Sequence, residues 1–426
     1  MPQATTNNTA AGPSLRTLDC GAAFVTEPMS GAQSAAITIL IPSGVARDRD
    51  DRPGLAAMWS ELLFRGAGDL DSRQHADALD TLGVQSGGGA ETYFQRLSFT
   101  MLGARVHDAL PLITDMILKP RCDAGSIEPV RDLSIQAIQA LNDDPQERVM
   151  RSLKSHHAPS PLNRSSLGTI EGLRAITRDD LLASWRQDAR PEGAIIAAAG
   201  SIDPDAIAGR LNELLAGWSG APSPIATDAH ADRGLHHETD DTNQAQIAIA
   251  HDGPSAADPG FALERVATAV LSGGMSGRLF TEVRERRSLC YSVYASYAAE
   301  RDFGRTVAYV GTTPDKADEA ASVLLGELRR INTAEGAITQ SELDRATVGL
   351  KSRVVMSGES TSNRAMAIAR DIHRLDRARS LEQIIEEIDA VTLPRLNEYC
   401  SSRSLGEITC CTIGPAPVQA PVQATL

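Results

Sequence analysis

The stretch PGLAAMWSELLFRG at 53–66 sets the reading of this chain. Leu55, Met58, Trp59, Leu62 and Leu63 recur at helical spacing, so one face of a helix is apolar. The segment AITILIPSG at 36–44, just upstream, is a short apolar, isoleucine-rich run and reads as a strand. A second short helix is expected over 72–82, with Asp71 as its N-cap. A glycine-rich turn at Gly87–Gly89 and a strand, TYFQRLSFTMLG at 92–103, come next. The helix VHDALPLITDMIL, two or three more helices, the strand GAIIAAAG and the helix PDAIAGRLNELLAGW complete this half.

The same order returns further on. QAQIAIAHDG at 244–253 is a strand, followed by helices expected over 261–271 and 276–287. A strand pair, CYSVYASYAA and GRTVAYVGT, precedes the helix PDKADEAASVLLGELRRI, further helices from Gln340 onward and a last strand, GEITCCTIG. Between the halves, 218–233 is rich in Pro, Ala, Ser and Asp without apolar period, as a linker is. Repetition of one element order predicts a duplicated α+β domain: mostly antiparallel sheets with helices packed on one side. The boundaries read from the sequence are a tail over 1–20, domains over 21–217 and 237–415, a linker over 218–236 and a tail over 416–426.

The chain has 426 residues, beyond the roughly 250–300 at which a single core stops growing. Asp and Glu number 55 against 41 Lys and Arg, a formal net charge of −14 that repels phosphate backbones and argues against nucleic acid. No apolar run approaches 18 residues, so no membrane-spanning helix is expected. The first residues lack a basic stretch followed by an apolar one, and do not read as a secretion signal. Six scattered cysteines without a CxxC pair read as reduced thiols in a cytoplasmic protein.

The 53–66 segment resembles the signature PGLAHFLEHMLFKGT of the pitrilysin/insulinase family of zinc peptidases, which includes the mitochondrial processing peptidases. Pro53, Gly54, Leu55, Ala56, Leu63, Phe64 and Gly66 match it. So do ALNDDPQERV at 140–149, SPLNRSSLGTIEGLRAITRDDL at 160–181, AIIAAAGSID at 194–203 and LSGGMSGRLFTEVRERRSLCYSVY at 271–294. The resemblance implies an inverted zinc motif, HxxEH, whose two His bind one metal while the Glu activates its water. Here Ala57 and Glu61 stand at the His positions and Ser60 at that of the base. The third ligand, about 76 residues on in the family, is replaced by Ala137. A methyl group binds no metal and a serine hydroxyl is no carboxylate base. No catalytic zinc is therefore expected in this chain.

Other histidines do not rebuild the site. His156 and His157 are adjacent and diverge by about 100° on a helix. His230, His236 and His237 fall in the linker region as solvated residues, and His75, His107, His251 and His373 are isolated. The family completes its active site with an Arg and a Tyr that have six residues between them, and Arg284 and Tyr291 stand in that register. A guanidinium holds a peptide carbonyl through its fork of donors, and a phenol can stabilise the oxyanion. The plain alternative is an arginine on a charged helix face beside Arg286 and Arg287, and strand tyrosines. Gly87–Gly89 precedes a segment resembling the family strand that pairs with bound peptide by edge addition. With Gly273 and Gly274, these glycines read as turns needing positive φ, since neither cluster has a phosphate-loop register.

The resemblance thus implies a non-catalytic, substrate-binding subunit of a heterodimeric zinc peptidase. Its homologous partner would carry HxxEH and zinc, and its substrate would be a peptide or unfolded protein. A catalytically inactive scaffold of the same fold is the alternative from another class, and a peptidase with a rearranged site is a third.

Overall fold

The computed structural model describes residues 12–227 and 230–419; the outer parts of both expected tails lie outside the described residues. Packing divides the chain into two compact units that do not follow the linker alone. One comprises Met1–Ile135, Ser166–Ile225 and Ser357–Ser380; the other comprises Gln136–Ser165, Ala226–Met356 and Leu381–Leu426. A segment of each half of the sequence thus belongs to the unit built by the other half. Two 19-residue helices, Ala124–Asn142 and Gln340–Gly358, carry the chain from one unit to the other.

The first unit holds a six-stranded sheet in the order Ser14–Thr17, Ala23–Pro28, Ile195–Gly200, Ser34–Ile41, Gln95–Leu102 and Gln85–Ala90. All neighbours are antiparallel except Ala23–Pro28 with Ile195–Gly200. Strand Ser34–Ile41 is buried on both of its faces. Leu40 packs with Val25, Ile195 and Ala197 against Ile368, Ala369 and Ile372 of helix Thr361–Leu375. Ile37, Ile39 and Ile41 point the other way and are equally buried. The layer of helices expected from the sequence is therefore joined by one from far along the chain.

The second unit repeats the device. Its sheet runs Cys290–Ala299, Gly304–Thr312, Ala245–Gly253, Thr409–Gly414 and Gly234–Thr239, with only the last pair parallel. Ala248, Ala250, Cys411 and Ile413 face Val149 and Leu153 of helix Pro145–His157, contributed by the first half of the sequence. On the opposite face Ile247, Ile249 and Val310 join Val266, Val270, Leu324 and Leu328. Helix Pro145–His157 and helix Thr361–Leu375 occupy matching places in the duplicated order.

Two readings are corrected here. Gly87–Gly89 form no positive-φ turn: they lie in edge strand Gln85–Ala90, paired with Ser98, Leu97 and Arg96. Gly88 is small because a Cβ there would come within 3.0 Å of the Phe64 ring and 2.6 Å of the Arg96 carbonyl. Gly274, by contrast, has φ +145 as a turn glycine does. His236 and His237 belong not to a linker but to strand Gly234–Thr239, which gains backbone bonds from Thr409–Gly414 despite its polar sequence. The 72–82 expectation holds: helix Ser72–Thr81 opens with a capping box in which Asp71 accepts from the Gln74 amide. Among the described residues no helix is long and apolar enough to cross a membrane.

One buried ion pair seats helix Thr361–Leu375. The Arg364 Nε donates to Glu27 Oε2 at 2.9 Å, and Nη2 reaches the Arg379 carbonyl at 3.1 Å. Arg364 is 2% exposed, so truncating it strands the Glu27 carboxylate in the interior. Arg364→Ala is expected to lower stability by about 3–5 kcal/mol, read from urea-unfolding midpoints.

Candidate functional site

Helix Leu55–Leu62 is held firmly without any metal. The Asp48 carboxylate accepts from the amides of Gly54 (2.7 Å) and Ala56 (3.0 Å), capping the helix from outside its own sequence. Gly54 has φ +124, and a side chain there would strike Leu173 at 2.7 Å. The Trp59 indole donates to the Leu181 carbonyl at 3.0 Å and packs on Trp185 with ring centroids 4.6 Å apart. Gln95 donates to the Ala56 carbonyl at 2.6 Å.

The donor set on this helix does not fit a catalytic zinc. Ala57 is buried and has no ligating atom. The Ser60 hydroxyl donates back to the Ala57 carbonyl at 2.7 Å, a local helix contact. Glu61 offers one carboxylate, and Ala137 on helix Ala124–Asn142 offers none. One carboxylate is far short of the three protein ligands of a catalytic site.

The segment carrying Arg284 departs from the expected helix over 276–287. Phe280–Glu285 forms a wide π-helical turn, in which the Arg286 amide donates to the Thr281 carbonyl at 2.9 Å. The chain then passes through Ser288 at φ +50 and enters strand Cys290–Ala299 with a bulge. Cys290 pairs with Thr312 and Ser292 with Gly311, so Tyr291 is the extra residue. The bulge turns its side chain outward to 85% exposure. Arg284 and Tyr291 are thereby brought together: the guanidinium carbon lies 5.1 Å from the Tyr291 ring centroid and 4.9 Å from that of Phe280.

The neighbouring arginines behave differently. Arg286 Nη1 donates to Glu282 Oε1 at 2.5 Å and Arg287 Nη1 to Glu282 Oε2 at 2.7 Å. Their forks hold the Glu282 carboxyl below the usual range, against its partial burial. The Arg284 carbonyl accepts from the Ser288 amide at 3.0 Å, but among the described residues its guanidinium makes no ion pair or hydrogen bond, only the two ring contacts. Beside Tyr291 opens a cleft of about 370 Å³ lined by Gln146, Gln244, Ser288, Ser292, Thr313 and Lys316. The Lys316 ammonium donates to the Ser288 carbonyl at 3.0 Å, supporting the positive-φ residue. Gln146, though inside the matching segment 140–149, and Lys316 escaped the sequence reading because neither residue type at its position points to a chemistry. Gln146 reaches the cleft only because its helix packs on the second sheet.

Arg278 fixes the start of this segment. It is buried and forks onto Glu342, with Nε to Oε1 at 2.7 Å and Nη2 to Oε2 at 2.9 Å, while Nη1 holds the Gly336 carbonyl at 2.7 Å. Burial alone would raise the Glu342 pKa, but Arg278 and the Thr339 amide outweigh it and bring it to about 2. The ionised form is therefore favoured on folding. Its contribution is complete above the ordinary value near 4.5 and is lost as pH falls toward 2. Between pH 6 and pH 3, urea midpoints should show Glu342→Gln flattening the acid loss by at most about 2 kcal/mol.

Residues 23–170 match the family described as Insulinase (Peptidase family M16), and residues 175–349 match the Peptidase M16 inactive domain. The chain belongs to peptidase family M16. An uncharacterized zinc protease of Mycobacterium tuberculosis is 26% identical over 396 residues, covering 91% of this chain and 90% of the relative. A protein of Arabidopsis thaliana named probable mitochondrial-processing peptidase subunit beta is 24% identical over 427 residues, covering 94% of this chain and 78% of that one. Its name marks it as one subunit of an assembly. Among solved structures, a peptidase M16 inactive domain from Pseudomonas fluorescens superposes with a TM-score of 0.83 at 19% identity, covering 96% of this chain and all of that one. A protease from Helicobacter pylori gives 0.85 at 15% identity, covering 94% and 99%. At such identities the superpositions establish the M16 fold of paired α+β domains.

Proposed function

We propose that this M16 chain is the substrate-holding, non-catalytic subunit of a heterodimeric zinc peptidase. A homologous subunit carrying HxxEH supplies the zinc, its ligands and the general base; this chain holds no catalytic zinc. Arg284 and Tyr291 grip the backbone of a peptide or unfolded protein, in the cytoplasm.

The observation that carries this reading is the free guanidinium of Arg284, stacked on an 85% exposed tyrosine beside an open cleft. Burial does not account for Tyr291, and ion pairing does not account for Arg284. Both groups work without a metal of their own: the fork binds carbonyl oxygens, and the phenol donates to an oxyanion. The loss of donors at Ala57, Ser60 and Ala137 supports assigning hydrolysis to another chain.

The test uses the full chain coexpressed with the HxxEH-bearing homologue of its own genome. Peptide hydrolysis is expected from the mixture and from neither protein alone. Arg284→Ala or Tyr291→Phe in the mixture should lower kcat/KM on the order of 100-fold with the complex intact by size-exclusion chromatography. Full activity of both variants would overturn the assigned role. A mixture no more active than the HxxEH chain alone would leave a scaffold as the function.

A further inference from the structure

Away from Arg284 and the degenerate motif helix, two histidines and an aspartate meet where helix Pro145–His157 ends beside strand Gly234–Thr239. The His156 and His236 rings are stacked, with centroids 3.5 Å apart and planes 13° from parallel. Asp232 Oδ2 lies 3.1 Å from His156 Nδ1, and the Asp232 carbonyl lies 2.8 Å from His236 Nε2. One donor atom from each of the three side chains falls within 4.8 Å of the other two.

We propose that His156, Asp232 and His236 form a binding site for a borderline divalent cation, zinc foremost. Bonds of about 2.0–2.2 Å at tetrahedral angles put ligand atoms roughly 3.2–3.6 Å apart, close to the His156–Asp232 separation. Because the rings are stacked with nearly parallel planes, one of them turns about its side-chain torsion to bring both in-plane lone pairs onto a single ion. Two imidazole nitrogens and one carboxylate suit zinc, nickel or copper and not magnesium or calcium. Water fills the fourth position.

The framework around the donors is rigid. His157 Nδ1 lies 2.9 Å from Thr409 Oγ1, and His237 Nδ1 lies 2.8 Å from Thr412 Oγ1. The residue after each ligating histidine is thus tied to one strand, Thr409–Gly414, which lies between the helix and the edge strand. His156 and His236 face each other because their neighbours are anchored. Asp232, whose side chain is 79% exposed, precedes the strand and is free to close on an ion arriving from solvent. A cation here clips the helix given by the first half of the sequence to the first strand of the second half, a structural role distinct from hydrolysis.

Calorimetric titration of the full chain with zinc chloride tests the site, with magnesium chloride as control. One equivalent of zinc and no magnesium should bind. His156→Gln, Asp232→Asn and His236→Gln should each weaken zinc at least roughly ten-fold and abolish the zinc-induced rise in Tm, while leaving the metal-free Tm within a few degrees. Glu61→Gln should change nothing. Failure of the wild type to bind zinc, or unchanged affinity in all three site variants, would overturn the proposal. Loss of binding in Glu61→Gln alone would overturn it too, and would in addition restore a metal to the motif helix against the non-catalytic reading.

Discussion

Both faces of the central strands must be covered, and the rest of the architecture answers that demand. Strands Ser34–Ile41 and Ala245–Gly253 carry Ile, Leu and Ala on both sides, and a fully buried Ile or Leu contributes about 1.5–3 kcal/mol relative to an exposed one. The helices that follow each strand cover one face. The other is covered by a helix of the opposite half, Thr361–Leu375 on the first sheet and Pro145–His157 on the second. Neither half of the sequence supplies a complete core for its own sheet. The duplication is therefore reciprocal in its packing as well as repeated in its order.

This arrangement explains how the fold persists without the chemistry of its motif helix. Helix Leu55–Leu62 is fixed by Asp48, Gln95 and the Trp59–Trp185 contact, none of which occupies a zinc-ligand position. Alanine at 57 is compatible with burial, and Ser60 satisfies its hydroxyl on the helix itself. The donors could be lost one after another without leaving an unpaired buried charge.

Much of this was legible in the residues. The element order, the PGLAAMWSELLFRG helix and the Asp71 cap follow from local pattern, whereas the Arg284/Tyr291 register was implied by the family resemblance. What was not legible depends on partners far away in sequence. The apolar stripe on Thr361–Leu375 says that a helix has a buried face, but not which sheet it covers. Gly87–Gly89 read as a turn because glycine usually means positive φ, whereas here Gly88 makes room for Phe64 and the Arg96 backbone. His236 and His237 lie in a polar stretch whose strand form comes wholly from pairing with Thr409–Gly414. Periodicity also cannot register the one-residue widening that turns the expected helix over 276–287 into a π-helical turn at Phe280–Glu285.

That widening, with the bulge after it, bears on why Arg284 and Tyr291 meet. An ordinary helical turn and an unbroken ladder would give Tyr291 a cross-strand partner on the sheet face. Two local irregularities, Ser288 at positive φ and Tyr291 outside the ladder, instead hold the phenol out in solvent under the guanidinium. Ser288 at positive φ carries a conformational cost on the order of 1–3 kcal/mol, set against the Lys316 bond to its carbonyl and the burial of Leu289 beside it. Glu282, which could have neutralised Arg284, is occupied by Arg286 and Arg287. A guanidinium and a phenol held together beside an open cleft, with the nearest carboxylate taken by other arginines, are what the proposed ligand-holding role requires of this surface.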